Sequence, residues 1–140
     1  KAFCLNKLFK IYAPPFLWAS FIAFLCGLPG RDIPHISFLE LLSFDKFVHA
    51  SLFFVLVLLI HHAVRKTPNR KNALAYALCL SIPYGGILEI LQQELFEDRT
   101  ADLFDFIANT IGCFIAWIYV NVKNNLKAKQ LIYKYIKNKS

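Results

Sequence analysis

Four stretches of this sequence contain no Asp, Glu, Lys or Arg: 11–30, 47–64, 72–88 and 106–122. Each is 17–20 residues long. That is the length at which a helix rising about 1.5 Å per residue crosses a hydrocarbon layer of roughly 30 Å. A soluble helix of that length shows a polar stripe. Here the stripe is absent or confined to one end. The runs do not alternate polar with apolar residues, and they are about twice the length of a barrel strand. The reading is an all-α polytopic membrane protein with four transmembrane helices, predicted at 11–28, 45–64, 72–96 and 101–122. A basic tail follows over 123–140, and one domain covers 1–140.

Composition agrees with lipid as the solvent. The chain is 57% apolar and 18% charged, against about 45–50% and about 25% for soluble domains. The formal charge of +7 would suit nucleic acid, but its distribution argues against that partner. Lys1, Lys7 and Lys10 precede the first span. Arg65, Lys66, Arg70 and Lys71 separate the second from the third. Lys123, Lys127, Lys129, Lys134, Lys137 and Lys139 follow the fourth. Thirteen of the 16 basic residues thus fall on one side of a four-span topology, and only Arg31, Lys46 and Arg99 on the other. The positive-inside rule makes the crowded side, and both termini, cytoplasmic. All nine acids fall in the outer loops or at the outer helix ends, a bias the rule did not use.

Several features are read as structural. Cys4, Cys26, Cys79 and Cys113 form no CxxC pair and are expected to be buried, inert thiols. The first span has the basic flank of a signal peptide but no small-residue cleavage site. Phe24-Leu25 before Cys26 does not fit a lipoprotein site, so this span is expected to be a retained helix. The chain contains no Met, so it is not expected to be a complete translation product. Pro14-Pro15 either falls in the first turn of helix one or marks a kink, and Ser43 is the expected N-cap of helix two. Pro83 should kink helix three, and the apolar stretch 36–42 is expected along the membrane surface. The tail over 123–140 is either solvated or laid on the anionic inner leaflet.

Polar groups within a membrane are costly and call for a reason. They gather at the outer ends of helices two, three and four. Asp45 and His49 are spaced i,i+4, with Lys46 beside them. Glu89 is followed by Gln92 and Gln93. Arg99 lies in an acidic loop with Glu97 and Asp98. Asp102, Asp105, Asn109 and Gly112 fall within an arc of about 80° at 100° per residue, one narrow polar face that should point into the bundle. One reading is that these groups lock helix register, although interhelical polar contacts average only about 0.6 kcal/mol. The other is a binding or catalytic site, which the number of ionisable groups favours. His49, Glu89, Asp102 and Asp105 are the candidate acid-base residues. Asp45, Lys46, His49, Glu89, Gln92, Arg99, Asp102, Asp105 and Asn109 are the candidate ligand-binding set. The same His and acids could hold a divalent metal, but no HExxH-type spacing supports it, and no metal or cofactor is expected. His61 and His62 are read as interfacial. Helix one offers no polar side chain to the cluster, and polar residues do not continue through the bundle as an ion or proton path would require.

Three motifs occur in register: Asp45-Lys46-x-x-His49-x-x-x-Phe53, Gly86-x-x-Glu89-x-x-Gln92, and Arg99-x-x-Asp102-x-x-Asp105-x-x-x-Asn109-x-x-Gly112. Over about residues 40–120 the chain resembles the VanZ-like family of membrane proteins. The resemblance implies a multi-pass protein of the bacterial cytoplasmic membrane, part of the cell envelope, in a group whose founder is linked to teicoplanin resistance. The expected function is an outward polar pocket for a lipid-linked or cell-wall-related ligand, with Arg99 and Lys46 on an anionic head group. The alternative is a non-catalytic membrane subunit whose partner protein supplies the activity. The resemblance implies no reaction, so enzymatic activity is left open.

Overall fold

A computed structural model describes residues 2–27, 38–67, 70–95 and 103–139. They form α1 (Ala2–Cys26), α2 (Phe38–Arg65), a 3-10 turn (Arg70–Asn72), α3 (Ala73–Leu95) and α4 (Leu103–Lys137). All four helices are long and apolar enough to cross a membrane, and no strand occurs among the described residues. The chain is an all-α polytopic membrane protein, as its charge-free runs require.

Helices α1 and α2 start before their predicted bounds and α4 ends well after its own, whereas α3 keeps within the predicted range. Helix α1 begins at Ala2, so Pro14 and Pro15 sit inside it and not in its first turn. Helix α2 begins at Phe38, which places Ser43 inside the helix and not at its N-cap. Glu40, Leu41 and Leu42 are good helix formers and carry the helix through. Helix α3 runs through Pro83 without a break. Helix α4 does not end at 122 but continues to Lys137, since no Gly or Pro follows Gly112 to interrupt it.

Helix α2 is the hub, touching α1, α3 and α4, with its largest contact on α4. Trp18 donates from Nε1 to the Leu52 carbonyl (3.0 Å), and the Tyr84 hydroxyl donates to the Ala19 carbonyl (2.6 Å). These bonds and the contacts below set α1 parallel to α3, and α2 parallel to α4. Phe53, Leu56, Val57, Ala77, Cys113 and Ala116 fill the centre. Small residues let the backbones approach. A Cβ on Gly85 would lie 3.1 Å from the Phe53 ring, and one on Gly112 only 2.8 Å from the Ala50 carbonyl carbon. Large apolar side chains such as Phe16, Phe24, Ile90, Phe114 and Ile118 point outward, as they do where lipid replaces water as the solvent.

Candidate functional site

The close approach of Gly112 to Ala50 brings two parallel helices together, so their polar residues meet in steps. Lys46 of α2 pairs with Asp105 of α4. One turn further in, His49 meets Asn109, with Nδ1 and Oδ1 3.1 Å apart. Asn109 also reaches α3, where its Nδ2 donates to Glu89 Oε1 at 3.3 Å. A single amide therefore joins the three helices.

This network assigns the histidine tautomer. Asn109 spends its NH₂ on the Glu89 carboxylate, so its oxygen faces His49 and accepts. His49 Nδ1 then carries the hydrogen, an assignment made from the bonding pattern. Nε2 is left 3.7 Å from Asp45 Oδ1, too long for a hydrogen bond but close enough to gain one when protonated. His49 is thus held at Nδ1, with Nε2 facing Asp45.

Exposure falls steadily along the cluster. The side chain of Asp45 is 44% exposed, Lys46 21%, Asp105 15% and His49 13%. Glu89, Gln92 and Asn109 are buried. The polar groups form a path from the end of the bundle into its interior. The Lys46 ammonium contacts both Asp105 and Asp45, the latter at 3.5 Å. Asp45, His49 and Asp105 each offer a ligand atom, all within 4.8 Å of one another, so a cation could be held here. Lys46 supplies that positive charge from the chain itself.

Asp45, Lys46, His49, Glu89, Asp105 and Asn109 of the predicted set come together. Gln92 sits one turn nearer the end of α3 than Glu89, donating from Nε2 to the Cys26 carbonyl at 2.9 Å, and Gln93 points away, exposed. Arg99 and Asp102 lie outside the described residues. Helix one meets Gln92 through a backbone acceptor and not through a polar side chain. Cys26 is the last residue of α1, so its carbonyl has no partner within the helix. A search for polar side chains could not find that group. The chemistry on offer is hydrogen bonding by the carboxylates and by His49, with a countercharge from Lys46.

Over 72 residues, 51% of its length, the chain is 33% identical to an uncharacterized protein of the fission yeast Schizosaccharomyces pombe. It covers 43% of that protein, less than half of the relative's length. No family model matches the chain, and no solved structure matches it.

Proposed function

We propose that the chain is a VanZ-like membrane protein whose polar cluster binds the head group of a lipid-linked ligand. The resemblance implies a bacterial inner membrane and a cell-wall ligand, whereas the relative is fungal. A phosphate-bearing lipid head group is chemistry common to both settings, so the proposal takes that class. Glycopeptide resistance belongs to the founder of the group and is not carried over. The positive-inside rule directs the cluster outward and both termini to the cytoplasm.

The observation that carries this reading is the graded path from exposed Asp45 to buried Glu89 and Asn109. A lock needs only the buried rungs, whereas a binding site also needs an opening. Asp45 and Asp105 would accept hydrogen bonds from hydroxyl groups of the ligand. Lys46 and Arg99 would meet its phosphate, and His49 would exchange a proton at Nε2.

The test is lipid analysis of protein extracted from its native membrane in mild detergent. Wild type should carry an enriched phosphate-bearing lipid that His49→Ala and Asp105→Asn lose while both variants remain folded in detergent. Equal lipid content in all three proteins would sink the reading.

A second reading has its own support: polar side chains of the cluster bond to one another across helices. On this reading the cluster locks a subunit for assembly with a partner protein. Its signature is lowered melting temperature in the same variants with lipid content unchanged.

A further inference from the structure

The opposite end of the bundle holds a feature that the polar cluster does not explain. A cavity of about 480 Å³ opens between the last turns of α2 and the middle of α4. His61, Arg65 and Lys66 line one side, and Lys123, Asn124 and Lys127 line the other. The volume falls within the range of small-ligand sites. No acid occurs anywhere between Lys46 and Leu88, or after Asp105. Four cations therefore converge with no carboxylate in the neighbouring sequence of either helix.

Basic residues at a helix C-terminus often serve to cap its carbonyls. Here two of those carbonyls, of Ala63 and Val64, are taken by other groups. Lys66 N donates to the Ala63 carbonyl and Thr67 N to the Val64 carbonyl (3.1 and 2.9 Å), and the Thr67 hydroxyl adds a second bond to Val64 (2.7 Å). The charged side chains of Arg65 and Lys66 are left for something else.

Depth and shape say what. The apolar span of α2 runs Phe44–Arg65, about 30 Å at 1.5 Å per residue. Its end, and the cavity with it, thus falls at the level of lipid head groups. A second groove of about 300 Å³ adjoins, sharing Tyr119, Lys123 and Lys127 and adding the apolar Val122 and Leu126. A charged pocket beside an apolar groove fits an amphiphile better than a soluble anion. Along the continuation of α4, Lys123, Lys127, Gln130, Lys134 and Lys137 fall within an arc of about 80°. The cavity is the membrane-proximal end of this basic stripe.

We propose that this cavity binds the phosphate head group of an anionic membrane lipid, with the stripe on α4 extending over the same leaflet. Basic pockets between membrane helices are suited to such head groups. The site is separate from the polar cluster and does not depend on its function.

The experiment uses the full chain in nanodiscs of phosphatidylcholine, with or without phosphatidylglycerol, and counts retained lipids by native mass spectrometry. Wild type should retain phosphatidylglycerol in preference to phosphatidylcholine. Arg65→Gln, Lys123→Gln and Lys127→Gln should each weaken that preference about fivefold, the effect of one surface cation. Lys129→Gln, outside the arc, should leave it unchanged. Equal retention of the two lipids overturns the proposal, as does a Lys129 effect as large as the others. Inorganic diphosphate is the third probe. If it binds the detergent-solubilised protein and no lipid preference exists, the site serves a soluble anion and the lipid assignment falls.

Discussion

Gly112 of α4 faces the backbone of Ala50 of α2 with no room for a side chain between them. A Cβ at Gly112 would lie 2.8 Å from the Ala50 carbonyl carbon and 2.9 Å from its Cα. Backbone cannot rotate away as a side chain can, so Gly112→Ala must push the helices apart. The expected cost is about 1–3 kcal/mol, seen as a lower melting temperature in detergent. Gly86→Ala is the control. Its Cβ would meet only the Phe106 ring, at 3.4 Å, and alanine favours the helix, so stability should hold or rise.

Asn109 links His49 to Glu89. Asn109→Leu removes a bond from each while keeping similar bulk, and should cost about 1–3 kcal/mol because buried polar groups lose partners. Combined with His49→Ala in a double-mutant cycle, it should cost less than the sum of the single changes. Strict additivity would mean that the two side chains do not interact.

Lys46 and Asp105 form an ion pair at the mouth of the cluster. Removing one member strands a charge, whereas replacing both does not. Lys46→Met and Asp105→Leu should therefore each destabilise more than the two together. A melting temperature of the double variant below both singles would contradict the pairing.

Ser81 is fully buried, and its hydroxyl has no hydrogen-bond partner among the described residues. Ser81→Ala removes that polar atom and leaves nearly the same volume. Thermal unfolding should show equal or greater stability; a drop of several degrees would reveal a bond to the hydroxyl.

Topology is tested in a cysteine-free background with single cysteines placed at Asp98 and Ser140. An impermeant thiol reagent added to intact cells should label the first and spare the second. The reverse pattern, or labelling of both, would overturn the positive-inside assignment.

The existence and number of helices were legible because lipid leaves few choices. A run of about 20 uncharged residues must satisfy its own backbone, and a helix does so. Helix ends were less legible. Charge marks where a span stops being apolar, but not where the backbone stops being helical, so α4 passed Lys123 and α2 began before Ser43. In the site, the i,i+4 pair Asp45/His49 and the arc of Asp105, Asn109 and Gly112 were readable from one helix at a time. Gln92 was placed on the correct helix, but its partner is a carbonyl of α1, and a carbonyl carries no residue signature.

By itself, then, the sequence determined that four helices cross a bilayer, which ends are basic, and which helix faces are polar. These follow from local periodicity and the cost of charge in hydrocarbon, which act on each segment separately. Tertiary structure decided which faces meet. The packing of α2 on α4, with Gly112 against Ala50, brings Lys46 to Asp105 and His49 to Asn109, and forms the basic cavity between Arg65 and Lys123. Those partnerships join residues about 60 positions apart, and interhelical packing, not local propensity, selects them.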